Sequence, residues 1–226
     1  WVNLHGHGHP YIAEQVAEQF KTLEHVIFAG FTHPPAVQLS EQLLQRLPGS
    51  QDKVFFSDNG STAVEVGLKM AIQYWYNQGW KQKRKILAFN NSYHGDTFGA
   101  MAVSERDAFT APFHPHLFEV TYIDPPLPGH EEASLQQLKT ALSAADDYAG
   151  FIFEPLVQGV GGMAMYRPEA LDPLITLCRD HELITIADEV MTGFGRTGTY
   201  FASDQLNEKP DVMCLSKGLT GGTMAM

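Results

Sequence analysis

The stretch Val212-Met213-Cys214-Leu215-Ser216-Lys217-Gly218-Leu219-Thr220-Gly221-Gly222 sets a lysine after a short apolar run and before a glycine-rich turn. The run reads as a buried strand, and glycine lets the backbone leave it sharply. In an open α/β sheet, chemistry gathers at the carboxyl ends of the strands. Partial desolvation there lowers a lysine's pKa and makes the amine nucleophilic. A solvated loop lysine is the competing reading, and only context separates the two.

That context begins upstream, where Ile184-Thr185-Ile186-Ala187-Asp188-Glu189-Val190 ends a second β-rich run on a carboxylate. Lysine and aspartate on the ends of two successive strands face one crevice. A lysine that forms a Schiff base, with a carboxylate that keeps a pyridinium nitrogen protonated, is the minimal apparatus for pyridoxal phosphate. Glu189 points away from Asp188 on an extended chain, so one of the two meets the ligand.

Working outward from that strand at residues 183–187, residues 151–153, 118–123, 85–89 and 54–56 read as further strands. Between them, residues 168–181, 135–145 and 62–75 read as helices. Thr62 and Glu65 fit a capping box for the last of these, after a turn at Asp58-Asn59-Gly60-Ser61. Strand–helix alternation predicts a largely parallel sheet covered on both faces, an α/β three-layer sandwich. Nearer the start, residues 11–23 form an amphipathic helix with Ile12, Val16, Phe20 and Leu23 on one stripe. Residues 40–47 form another, capped by Ser40 and separated from the first by Pro34-Pro35. There is no internal repeat and no low-complexity tract.

The chain has 226 residues, 44% of them hydrophobic, enough for one large domain or two small ones. A net charge of −11 without a basic run argues against nucleic acid and against an anionic membrane surface. No apolar run reaches the length of a membrane span. Cys178 and Cys214 form no CxxC pattern and sit in apolar surroundings, which points to buried free thiols in a reducing, cytoplasmic compartment. The chain does not open on Met and stops in the turn after Lys217, which fits a segment of a longer protein.

The polar residues Ser61, Tyr93, Glu154, Asp188 and Lys217 all fall at carboxyl ends of expected strands. Gly60-Ser61-Thr62 opens a helix, where free amides and the helix dipole make an anion site; a plain N-cap is the alternative. Tyr93, followed by Gly95, has a ring able to stack on a flat heterocycle, although a core tyrosine is the simpler reading. His94 is suited to orienting neighbours, and Glu154 to accepting backbone N–H groups. Arg196 can take a carboxylate or a structural partner. His5, His7 and His9 alternate, but the intervening glycines and Pro10 make a turn a better reading than a metal site.

Together these stretches resemble the class III, fold type I, pyridoxal-phosphate-dependent aminotransferases. The resemblance is carried by Gly6-His7-Gly8-His9-Pro10, Asn59-Gly60-Ser61-Thr62-Ala63-Val64-Glu65, Tyr93-His94-Gly95, Glu154-Pro155, the run from Asp188 through Met191 to Gly198, and Ser216-Lys217-Gly218. It implies that Lys217 is the catalytic Schiff-base lysine and Asp188 the partner of the pyridine nitrogen. It also implies that Gly60, Ser61 and Thr62 hold the phosphate, that Tyr93 and Val190 cover the two ring faces, and that Trp1 and Tyr93 meet substrate. Residues 1–50 then lead into a large cofactor-binding domain at 51–226, with a small C-terminal domain missing. A homodimer with shared sites is implied as well. A phosphate-binding threonine from the neighbouring subunit and a carboxylate-binding arginine would both lie beyond Met226.

Within the class, Phe31-Thr32-His33-Pro34-Pro35-Ala36, the run from Tyr93 through Asp96 to Met101, and the run from Pro155 through Gly159 to Met163 resemble one branch. That branch moves an amino group from S-adenosylmethionine to 8-amino-7-oxononanoate in biotin synthesis; in some relatives lysine is the donor. Met191, where many members carry Gln, and Val160, where others carry a gating Glu, fit an unusual donor. An ω-amino acid aminotransferase, an aminomutase and an inactive scaffold homologue remain as alternatives.

Overall fold

The computed structural model describes residues 1–226. Its centre is a five-stranded sheet in the order β2-β1-β3-β6-β7, with β1 at Lys85–Phe89, β2 at Val120–Ile123, β3 at Tyr148–Phe153, β6 at Ile184–Asp188 and β7 at Val212–Cys214. Every neighbouring pair in it is parallel. A short antiparallel hairpin, β4 at Val157–Gln158 and β5 at Ala164–Met165, follows β3.

The alternation of side chains along these strands builds the three layers. Ile86, Ala88, Ile152 and Ile186 face one way and pack with Val64, Leu68, Ala71 and Trp75 of α3, at Gly60–Asn77. Leu87, Phe89, Phe151 and Phe153 face the other way. They pack with Leu138 and Leu142 of α5 (Glu131–Ala144) and with Leu171, Leu174 and Ile175 of α6 (Pro168–Asp180). Both faces are buried, so the strands read as nearly continuous apolar runs. Burying each such large side chain contributes roughly 1.5–3 kcal/mol. The Trp75 indole N–H is satisfied by Ala149 O at 2.9 Å.

The expected α/β sandwich is present, and the departures lie mostly in the first sixty-odd residues. The second helix, α2, runs Pro34–Leu44. Pro34 and Pro35 start it, because a proline at the first helical position has its φ preset and lacks a donor that would be unpaired anyway. The ring Nδ1 of His33 accepts from Ala36 N at 3.3 Å, while Ser40 sits mid-helix and donates to Ala36 O at 2.8 Å. Residues 54–56 form no strand; no neighbour pairs with them, and Phe56 stacks near Phe28 instead. Helix α3 starts before Thr62, and its capping box joins Asn59 to Thr62. Glu65 instead accepts from Gly99 N at 2.6 Å and Ala100 N at 3.3 Å, at the start of the short α4 (Phe98–Ala102). Helix α1 spans Pro10–Thr22 as expected, but none of its residues is buried, and Phe20 is 60% exposed. No helix is long and apolar enough to cross a membrane.

From β1 the chain moves outward to β2, and from β3 it moves outward to β6 and β7 on the other side. The strand order therefore reverses between β1 and β3, and a crevice opens at their carboxyl ends.

Candidate active site

Asp188 closes β6 and is nearly buried. Its Oδ2 lies 2.7 Å from His94 Nδ1, and its Oδ1 accepts from Val190 N at 3.0 Å. Glu189 turns to the opposite side, as strand alternation requires, and accepts from Ala202 N, Ser203 N and the Thr192 hydroxyl at 2.9, 2.7 and 2.9 Å. Burial raises the Glu189 carboxyl above the ordinary range, and those donors offset part of the rise.

Lys217 follows β7 by three residues. Its φ of 41° lies in the left-handed region, a conformation costing a non-glycine residue on the order of 1–3 kcal/mol. The turn is held tight behind it, since a Cβ on Gly218 would come within 2.6 Å of Leu4 Cδ1. The amine is half-buried, and burial pushes it below the usual lysine range against the opposing charges of Asp188 and Glu154. Its Nζ lies 5.6 Å from the centre of the Trp1 ring.

The amino end of α3 forms the next wall. Asn59 Oδ1 accepts from Thr62 N and Thr62 Oγ1 accepts from Asn59 N, both at 3.0 Å. That exchange leaves the amides of Gly60 and Ser61 as the free donors of the helix terminus. Gly60 lies under Val190, where a Cβ would be 2.7 Å from Val190 Cγ1. Ser61 lies under Gly95, whose φ is 131°; a Cβ there would be 2.1 Å from Ser61 Oγ. The loop after β1 carries Tyr93, whose hydroxyl donates to Asp96 Oδ2 at 2.9 Å, and Asp96 N donates to Ser61 Oγ at 3.2 Å. Burial, aided by that bond to Asp96, pushes the Tyr93 phenol up to about 12, so it remains a donor at neutral pH. His94 is fixed by its own amide, which donates to Ser104 Oγ at 2.8 Å, and its buried Nε2 has no partner.

These groups line one cleft of about 620 Å³ with Trp1, Asn59, Glu154, Gly159, Val160, Met191 and Ser216. Of the residues singled out in the sequence, Trp1, Gly60, Ser61, Tyr93, Asp188, Val190 and Lys217 come together there. Thr62 does not; its hydroxyl is engaged in the cap and holds Gly60 and Ser61 in place. Arg196 donates to Trp1 O at 2.9 Å and so anchors the first residue of the chain at the cleft rim. His5 and His9 pack edge to face with ring centres 6.0 Å apart, and no three ligating side chains are gathered to hold a metal. Sequence reasoning missed Gly159 as a wall and the direct bond between His94 and Asp188. A second groove of about 460 Å³, between α2, the 51–57 segment and β7, contains none of the candidate residues.

The cleft offers a half-buried amine, a carboxylate with acceptor capacity left, two free helix-terminal amides and an aromatic ring close to one another. That donor set suits a flat, phosphorylated aldehyde with a basic ring nitrogen.

Known proteins place these features in context. The family profile described as aminotransferase class-III matches residues 1–226. An adenosylmethionine-8-amino-7-oxononanoate aminotransferase from Synechococcus elongatus is 53% identical over the whole chain and 55% of its own length. The protein of that name from Mycobacterium leprae is 37% identical over the whole chain and 52% of its length. Among solved structures, the enzyme of that name from Methanocaldococcus jannaschii superposes with a TM-score of 0.93 at 35% identity, covering 100% of this chain and 52% of the other. An (S)-enantioselective omega-transaminase from Thermomicrobium roseum also gives 0.93, at 31% identity, covering 99% of this chain and 52% of the other. The chain thus spans about half the length of the relatives it matches. With the profile matched from end to end and a relative 53% identical over the whole chain, this chain belongs to the class-III aminotransferases.

Proposed function

We propose that this chain carries the pyridoxal phosphate site of an enzyme that transfers the amino group of S-adenosylmethionine to 8-amino-7-oxononanoate, giving 7,8-diaminononanoate for biotin synthesis. The observation that carries the proposal is the half-buried Lys217 amine in one cleft with Asp188 and the free amides of Gly60 and Ser61. The choice of substrates is supported by the names of relatives up to 53% identical to this chain.

When bound, pyridoxal phosphate supplies an aldehyde that takes up the amino group and an electron-withdrawing ring that spreads the carbanion's charge. The amides of Gly60 and Ser61, at the positive end of α3, would hold its phosphate. Tyr93 and Val190, both on the cleft wall, would hold the ring between them. Asp188 would accept from the protonated ring nitrogen, and His94, with Nδ1 2.7 Å from Asp188 Oδ2, keeps that carboxylate in place. Lys217 Nζ would hold the aldehyde, and its free amine is placed to take a proton from the donor carbon as general base and to deliver it, as general acid, to the carbon that receives the amino group. A depressed pKa favours that task, since the neutral amine is more populated at working pH. Trp1 and Tyr93 border the space left for substrate.

The large domain begins near residue 51, with residues 1–50 leading into it. The protein works as a homodimer in the cytoplasm. Support for the dimer comes from the exposed apolar side chains Tyr11, Phe20, Ile27, Phe28 and Phe31, crowded into the first 31 residues. Two buried free thiols fit a reducing compartment.

The test is the visible absorption of the intact protein with pyridoxal phosphate, before and after S-adenosylmethionine. The expected result is a bound-cofactor band that converts to the aminated form with this donor and not with β-alanine or ornithine. In Lys217→Ala the parental band and turnover should both be lost. A band indifferent to S-adenosylmethionine would overturn the donor assignment, and parental turnover in Lys217→Ala would overturn the site.

A further inference from the structure

Glu154 stands where the strand order reverses, one residue beyond the carboxyl end of the central strand β3. It is 4% exposed. Its two carboxylate oxygens reach in different directions. Oε1 accepts from Tyr93 N at 3.1 Å, in the loop after β1, and Oε2 accepts from Gly159 N at 2.9 Å, beyond β4. Its own carbonyl accepts from the Tyr166 hydroxyl, which closes the β4–β5 hairpin back onto β3.

The two amides belong to different segments of the cleft lining, the loop after β1 and the turn after β4. Tyr93 is the aromatic wall. Gly159 backs the wall made by Met191 and Trp1: a Cβ on Gly159 would lie 2.9 Å from Met191 Cε and 3.6 Å from the far edge of the Trp1 ring. A carboxylate in this place is costly, because burial disfavours its charge. That cost shows as a carboxyl raised above its ordinary range, with the Asp188 charge adding to the rise. An apolar residue would fill the volume more cheaply, but it could not accept from both walls at once.

We propose that Glu154 is a positioning residue, a double-ended latch whose carboxylate sets the spacing between the Tyr93 wall and the Gly159–Trp1 wall. Through Tyr93 it fixes the tilt of the cofactor ring. Through Gly159 it fixes the width left for substrate. The proposal rests on the pyridoxal phosphate site described above.

The test uses Glu154→Gln in the intact protein. The amide keeps one acceptor oxygen and sets an NH2 against one of the two backbone donors, so only one arm of the latch survives. Three quantities are compared with the parent: hydrogen exchange at the Tyr93 and Gly159 amides without cofactor, circular dichroism of the bound cofactor per mole, and KM against kcat. The expected results are exchange faster by about tenfold at one or both amides, the loss of one charge-assisted bond. The cofactor's visible dichroism should be weaker, and KM for the amino acceptor should rise more than kcat falls. A purely structural role would lower the melting temperature and leave the dichroism and KM as in the parent, and that outcome overturns the proposal. Glu154→Asp, which keeps the charge but is too short to span both amides, carries the same expectations if the glutamine variant does not fold. A parent protein with no bound-cofactor band would instead defeat the cofactor reading itself, and the latch with it.

Discussion

Gly95→Ala is the substitution by which the geometry of the cleft is most sharply tested. Gly95 has φ of 131°, where side chains are rarely tolerated, and this alone costs on the order of 1–3 kcal/mol. The added Cβ would stand 2.1 Å from Ser61 Oγ, 2.6 Å from Ser61 Cβ and 2.9 Å from Ser61 Cα. Rotating the hydroxyl relieves the first contact and not the others, because Cα belongs to the first turn of α3. Either that turn or the Tyr93–Asp96 loop must shift, and overpacking of this kind costs roughly 1–3 kcal/mol. The total is about 2–6 kcal/mol, a large part of the roughly 5–15 kcal/mol that holds a domain folded. At roughly 2–4 °C per kcal/mol for a domain of this size, the melting temperature should fall by about 4–24 °C. The bond from Asp96 N to Ser61 Oγ should be lost with it, and the free amides of the helix terminus should move off their aim. Pyridoxal phosphate affinity should therefore drop by about tenfold or more. Thermal unfolding followed by circular dichroism, with a cofactor titration, measures both. Gly129→Ala is the control: its φ is 85° with nothing within 4 Å of the new Cβ, so it carries backbone strain without the clash. A Gly95→Ala protein that melts within about 2 °C of the parent and binds cofactor equally well would refute the close approach of this loop to α3.

Two further outcomes follow from the same site. Asn59→Ala should cost about 1 kcal/mol, read as a lower denaturation midpoint, because it removes the acceptor for Thr62 N at the start of α3; Asn59→Asp should restore most of the loss. Because burial depresses the Lys217 amine, its modification by an amine reagent in cofactor-free protein should have a pH midpoint below the ordinary lysine value of 10.5. The sign for stability is the same: the depressed group favours the folded state at alkaline pH, and that contribution is lost as pH falls through the folded pKa, with solvent screening keeping it small. A reactivity midpoint at or above 10.5 would show the amine to be solvated.

The sheet was legible because both its faces are buried. Ile86 to Phe89 and Phe151 to Phe153 read as apolar runs of strand length, and helices of the right length separate them. The errors came where local chemistry allows two outcomes. Pro34-Pro35 reads equally as a break or as a first turn, and the cap offered by His33 was not an obvious signal. Val54, Phe55 and Phe56 have strand propensity, but a strand needs a neighbour, and none is named by local sequence. Asn59 with Thr62 and Thr62 with Glu65 both have capping-box spacing, and the tertiary bonds of Glu65 to α4 decide between them. In the site, Lys217 and Asp188 were readable from their places at strand ends. The bridge from Glu154 to Tyr93 and the bond from His94 to Asp188 were not, since they join residues 61 and 94 positions apart.

Which of two adjacent carboxylates is able to serve a ligand is decided by counting acceptor sites. Each carboxylate oxygen has two lone-pair positions. Glu189 Oε2 takes the Thr192 hydroxyl and Ala202 N, while Oε1 takes Ser203 N, so three of its four positions are filled from within the fold. It is fully buried and lies outside the cleft, so no ligand reaches the fourth. Its work is to tie the 189–203 loop to itself, and that loop carries Val190 and Met191 into the cleft. Asp188 has one contact on each oxygen, to His94 and to Val190 N, and borders the cleft with two positions open. Strand alternation alone separates the two side chains by direction. The bonds around them then make one a structural anchor and leave the other with the capacity to accept from a ring N–H, which is why Asp188 can take the ligand role and Glu189 cannot.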